Sequence, residues 1–296
     1  MKKLTYIVAL LMALNSVYGK VRSIEKQALI DLYHSTNGDD WTVKWNLSLP
    51  ISTWSGIEIE NGKVVSINLM NNNLSGELAN SIGDLEHLRV LNLAFNAIGG
   101  TLPNRIIQLK SLIILRLGKN KLTGEIPENI GDLKELLILD LFNNKISGEI
   151  PLSLGDIKNL KVISFSNNKV TGIIPEALGR LKLLERLELA NNQINGDVPE
   201  AIGRLPNLSM LLLSENEFTG KFPASVFSLP NLRVLQLQNN DFDIKHLKNS
   251  IPLKTDLALF EFDDIQGRID RNDFEKVFTN TEFRTADTKF GDDNDN

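Results

Sequence analysis

Asp140 and Glu188 are the carboxylates in this chain whose types and spacing could support acid–base work, namely hydrolysis of a glycosidic bond. They stand two copies of a 24-residue period apart. At the spacing of neighbouring strands that is about 10 Å, near the upper limit for an inverting pair. On an open, wet surface their pKa values would be weakly tuned, so the expectation is that neither is catalytic. His34, His87 and His246 are scattered, and none is placed to join a serine and an acid in a triad. Three histidines so scattered, with no cysteine, cannot build a zinc centre, so no metal and no cofactor are expected. Contact chemistry is the better match. Phe95, Arg116, Lys119, Asp140 and Phe142 mix aromatic and charged groups at related offsets, as a protein or peptide hot spot does. Arg186, Glu188 and Glu215 form a second, more polar set, whose plainer reading is opposite charges solvating one face.

What positions these residues is an internal repeat. Leu-x-x-Leu-x-Leu-x-x-Asn begins at Val64 and recurs every 24 residues at Leu88, Leu112, Leu136, Leu160, Leu184, Leu208 and Leu232. The ninth position is Asn in all eight copies: Asn72, Asn96, Asn120, Asn144, Asn168, Asn192, Asn216 and Asn240. Gly holds the thirteenth position in the seven complete copies, and Pro the sixteenth in six of them, with Ala79 the exception. Leu139 and Leu141, two apart, share one face of an extended strand. Ile146, Ile150, Leu154 and Ile157 return apolar contacts to it. One such coil leaves both flat sides uncovered, and stacking neighbours at about 4.8 Å per coil covers them. An Asn where the strand turns inward needs partners, which backbone groups of its own and adjacent coils can supply as an Asn ladder.

Leu-x-x-Leu-x-Leu-x-x-Asn-x-Leu-x-Gly-x-Ile-Pro-x-x-Ile-Gly-x-Leu resembles the plant-type leucine-rich repeat, over about residues 24 to 243. Plant receptor-kinase ectodomains, polygalacturonase-inhibiting proteins and many secreted bacterial proteins share that class. The resemblance implies an α/β solenoid: a right-handed superhelix with a parallel β-sheet on its concave face and a cap at each end. It also implies that the concave face binds a protein, peptide or glycan, in adhesion, scaffolding or inhibition of a secreted hydrolase. "LYHSTNGDDW" and "STWSGIEIENGKVVSINL" resemble the N-terminal cap of these proteins. Ser52 and Ile59 stand where plant members carry a Cys pair, a departure that points to a prokaryotic relative.

The rest of the chain reads as follows. Residues 1–19 look like an export signal, with Lys2 and Lys3 ahead of the apolar run Ile7–Leu14, which is too short to span a bilayer. Residues 20–63 are expected to cap the front of the stack, with Ile24, Ala28, Leu29, Leu32 and Tyr33 on one helical face. Trp41, Trp45 and Trp54 are expected in the cap core, a sugar-binding cluster being the alternative. Residues 64–243 hold the eight repeats, and 244–279 a C-terminal cap using Phe260, Phe262, Phe274 and Phe278. Residues 280–296 form a polar acidic tail expected to lack order; the Asp and Asn of its "GDDNDN" alternate as in calcium loops, but a full loop needs a later bidentate acid and defined turns. The net charge of −5 argues against nucleic acid as a partner, and no membrane insertion is expected. The absence of Cys excludes disulfides.

Within each strand the third, fifth, seventh and eighth positions face away from the turn. The third column (Val90, Ile114, Ile138, Val162, Met210, Val234) is apolar and expected to flank the core; left exposed, it would suit a dimer surface, the chain being taken as a monomer or weak homodimer. The eighth column is rich in Asn (Asn71, Asn143, Asn167, Asn191, Asn239), and a rival reading is an array matched to ice or another crystal surface, interrupted at Phe95, Lys119 and Glu215.

Overall fold

The computed structural model describes residues 21–252 and 256–263. The expected export signal, Phe274, Phe278 and the acidic tail lie outside the described residues. Each 24-residue copy forms one coil, and the coils stack through a single ten-stranded sheet. Eight of its strands are the Leu-x-Leu segments, from Lys63–Asn68 through Val90–Asn92 and Ile138–Asp140 to Val234–Gln236. They pair in parallel and in one register, Asn92 beside Arg116, Arg116 beside Asp140, Asp140 beside Ser164 and Ser164 beside Glu188. Every strand is short because the recurring Asn and Gly bend the chain back after one turn.

The side chains pointing inward make one continuous apolar core. Leu115, Leu117, Leu139, Leu141, Leu187 and Leu189 are fully buried in it, joined from the return path by Ile146, Leu154 and Ile157. On that return path the chain forms 3₁₀ turns, such as Asn104–Gln108, Leu152–Asp156 and Glu176–Arg180, each preceded by a proline whose fixed φ suits the extended entry. The repeat therefore has no α-helix on its convex side; five residues are too few for a stable one.

The ladder asparagines hold the coils to one another. Asn144 donates through Nδ2 to the Leu141 carbonyl of its own coil at 3.0 Å and to the Leu117 carbonyl of the preceding coil at 3.0 Å. Its Oδ1 accepts from the backbone N–H of Leu122 at 2.9 Å. Asn96, Asn120, Asn168, Asn192, Asn216 and Asn240 repeat the donor pattern. Asn72, with no coil in front of it, turns to the cap and exchanges hydrogen bonds with the backbone of Val43.

The front cap opens with α1 (Ser23–Ser35), which buries Ala28, Leu29, Leu32 and Tyr33. Ile24, expected on that face, is half exposed. Glu25 is buried in its place, held by Arg22 at 3.0 Å and accepting from the backbone N–H of Val64, so a carboxylate covers the first strand. Trp41, Trp45 and Trp54 are buried against one another, Trp45 and Trp54 stacked at 4.9 Å, and each indole N–H donates to a backbone carbonyl. They are cap core and present no face to a sugar. An antiparallel strand, Ile57–Glu60, precedes the first repeat strand and is joined to it at Asn61-Gly62, both with positive φ as a tight hairpin needs. At the far end α2 (Ile244–Ser250) is followed by a further parallel strand, Leu259–Glu261, beside Val234–Gln236. Phe260 of that strand closes the core.

The apolar third column does not join the core. Met210, Val234 and Leu259 cluster with Ala190 and Leu212 on the opposite, concave side of the sheet. They are hidden there by one another because strands at this spacing crowd their outward side chains as well as their inward ones.

Candidate functional site

The concave face gathers the candidate residues into one strip crossing five coils. Its aromatic end is built on a missing side chain. A Cβ on Gly118 would lie 2.2 Å from the Phe142 ring, so only glycine lets Phe142 fold down across the neighbouring coil. Phe142 is consequently 9% exposed, more wall than protrusion. Phe95, two coils away, meets it edge to face with centroids 5.9 Å apart. Lys119 lies between, its Nζ 5.4 Å from the Phe95 centroid.

The polar end is a run of charged and polar groups along the fifth column. Arg116, Asp140, Ser164 and Glu188 sit on consecutive strands. Ser164 Oγ donates to Glu188 Oε2 at 2.7 Å, and the other Glu188 oxygen accepts from Arg186 Nε at 2.7 Å. Asp140 Oδ1 accepts the backbone N–H of Phe142 at 3.2 Å. Burial drives the Asp140 carboxyl up to about 7, and the nearby Glu188 charge adds to that; the Phe142 N–H, Arg116 and Arg186 pull the other way without cancelling it.

This corrects the expectation of an open, weakly tuned carboxylate pair. Glu188 is 1% exposed and Asp140 is recessed between the outward side chains of its neighbours. The correction does not favour hydrolysis, since both Glu188 oxygens are engaged by Ser164 and Arg186 and neither is presented to a substrate. His34, His87 and His246 remain apart from the pair, and among the described residues no cluster of three or more His, Asp or Glu is arranged to hold a metal ion.

The two residue sets read from the sequence regroup in space. Ser164 was not singled out by sequence, although it occupies the one fifth-column position between Asp140 and Glu188. It joins Arg186 and Glu188 to the Phe95–Phe142 end, making one strip. Glu215 does not belong to it; it is exposed on the eighth column, and none of the described side-chain bonds reaches it.

The eighth column has a physical explanation that its composition concealed. Asn71, Phe95, Lys119, Asn143, Asn167, Asn191, Glu215 and Asn239 all have φ between +49° and +59°. Asn tolerates the left-handed region better than other side chains with a Cβ, so its recurrence answers a backbone demand. An ordered array for a crystal lattice is not needed to account for it. Phe95 and Lys119 hold the same strained conformation without that tolerance, and they meet on the strip.

Three leucine-rich-repeat family models match the chain, at residues 84–101, at 111–133 and 135–157, and at 151–194 and 183–242, about half of its length together. Among solved structures it is similar to PEPR1 in its AtPEP1 complex, at 33% identity and a TM-score of 0.68, over 73% of this chain and 31% of that one. It is also similar to the Arabidopsis receptor kinase HAESA, in complex with the peptide hormone IDA and the co-receptor SERK1, at 39% identity and a TM-score of 0.58, over 60% of this chain and 29% of that one. The chain thus spans about a third of the length of these receptors. A plant ice-binding protein, 23% identical with a TM-score of 0.53 over 75% of this chain and 88% of that one, shares the fold alone. One parallel sheet with an asparagine closing each strand, matched by these models and these structures, places the chain in the leucine-rich-repeat family.

Proposed function

We propose that this protein is a secreted or cell-surface binding module that recognises an extended protein or peptide segment along the concave strip. The observation that carries the reading is the meeting of Phe95, Lys119 and Phe142 on adjoining coils, two of them holding a left-handed backbone conformation that the fold imposes and that Asn would bear at lower cost. Aromatic surface supplies desolvation, Arg116 and Lys119 supply charge, and the rigid ladder holds both in place, so little ordering entropy is lost on binding. The complex of HAESA with the peptide hormone IDA and the co-receptor SERK1 supports a peptide or protein over a glycan. Secretion rests on the Lys2-Lys3 leader, and a prokaryotic source on Ser52 and Ile59 in place of the cap cysteines. Adhesion, scaffolding and hydrolase inhibition are all served by such a surface. Among the described residues no helix is long and apolar enough to cross a membrane.

The test is capture of partners from the envelope of the producing cell, followed by titration of each captured partner against wild type and Phe95→Ala/Arg116→Ala. Loss of two anchors should weaken binding at least tenfold, about 1.4 kcal/mol. Unchanged affinity with an intact fold would place recognition elsewhere.

A further inference from the structure

The lateral face of the stack carries a pattern of charge that changes sign from one end to the other. Just after the ladder Asn, the tenth position of six successive coils is fixed by a backbone bond to the coil before. Lys121, Lys145, Lys169, Gln193, Glu217 and Asp241 donate their N–H groups to the carbonyls of Ile98, Leu122, Ile146, Val170, Ile194 and Phe218, each at 2.8 Å. Read along the stack this column runs basic, basic, basic, neutral, acidic, acidic. Four residues further along each coil, beyond the bend glycine, the neighbouring column runs the other way: Glu125, Glu149, Ile173, Asp197, Lys221. The residues of both columns that carry these charges are exposed. Lys121, Lys145, Glu149, Glu217, Lys221 and Asp241 take part in no side-chain hydrogen bond or ion pair.

We infer that this face is self-complementary and binds a second copy of the chain through a two-fold axis passing between Lys169 and Gln193. A two-fold operation reverses the columns upon themselves. It brings Lys145 opposite Glu217 of the second copy, and Lys121 opposite that copy's Asp241. The same operation sets Glu149 against Lys221, so the two columns, which run oppositely, are satisfied by one axis. Ile173, 57% exposed, lies next to that axis, with Asp197 of the second copy opposite it. Six coils, five strand spacings from first to last, by four residues of width cover about 24 Å by 13 Å, or about 300 Å² per copy. A stable interface buries about 800 Å² per partner, so this dimer is weak, reversible and sensitive to salt. It leaves the concave strip free, and two copies present two strips to a ligand of extended or repeated form.

Sedimentation velocity of the purified chain over a concentration series, at low and at 0.5 M salt, tests the inference. Dimer is expected at low salt and monomer at high salt. Lys145→Glu should weaken association at least tenfold. The swap Lys145→Glu/Glu217→Lys restores the opposed pairs and should recover association to within about threefold of wild type. A monomer at all concentrations at low salt, association indifferent to Lys145→Glu, or failure of the swap to restore it would each overturn the proposal. Both sites are exposed, so far-ultraviolet circular dichroism of every variant should match wild type.

Discussion

Replacing Asp140 by Asn should stabilise the protein at alkaline pH and leave it nearly unchanged at acid pH. The folded carboxyl is raised from 3.8 to about 7, chiefly by burial and secondarily by Glu188. Below pH 3.8 the group is neutral in both states and contributes no pH dependence. Between there and about 7 the unfolded chain gives up its proton while the folded chain retains it, so folding loses stability as pH rises. At 1.36 kcal/mol per pH unit the full interval amounts to about 4 kcal/mol, and penetration of water to the recessed carboxyl lowers that to about 2 kcal/mol. Asn is close in shape and can still accept the Phe142 N–H, but it cannot ionise. Urea unfolding of wild type and Asp140→Asn at pH 4, 6 and 8 should show the variant gaining about 2–4 kcal/mol on wild type across that range. A carboxyl-carbon NMR titration reads the Asp140 midpoint directly, and Glu188→Gln should lower it by removing the adjacent negative charge. A difference between variant and wild type that stays flat with pH, or a midpoint near 4, would refute the argument that the strip is a low-dielectric site.

Gly118→Ala should cost about 1–3 kcal/mol by forcing the Phe142 ring off its seat, and most of that cost should vanish in a Phe142→Ala background; chemical denaturation of the four proteins in that cycle measures the coupling. Glu215→Asn should stabilise the chain by about 0.5–1 kcal/mol, since it relieves a left-handed residue that has no side-chain partner, and the thermal midpoint should rise.

The stack was legible because its signals are redundant: Asn144, Gly148 and Leu139 each repeat in almost every coil, and the repetition specifies pairing, register and core together. Single-copy features were harder to read. The hairpin at Asn61-Gly62 carries a standard turn signal, yet it lies inside a segment whose tryptophans and helical face dominate the reading. The strand Leu259–Glu261 follows Val234–Gln236 by 25 residues, off the 24-residue beat. The site was half legible. Column positions named Phe95, Arg116, Asp140 and Glu188, but the burial that tunes Asp140 comes from neighbours on either side, which spacing alone does not weigh. Ser164 was passed over because a serine has no chemistry of its own until a carboxylate lies 2.7 Å away.

The eighth column shows how a repeat protein separates folding from function. Eight coils impose one backbone conformation at that position, and five of them use Asn, the residue that bears it most easily. Conformity there reports only the backbone. Departure costs about 1 kcal/mol per residue and must be balanced by something, either in the fold or outside it. At Lys119 a cation–π contact with Phe95 offsets part of the cost, but Phe95 is itself a departure, so the pair cannot have been set by the fold alone. Substituting Asn at both positions should therefore leave the stack folded and at least as stable while weakening capture of the concave-face partner. That combination, stability kept and binding lost, is what distinguishes a residue retained for a ligand from one retained for packing.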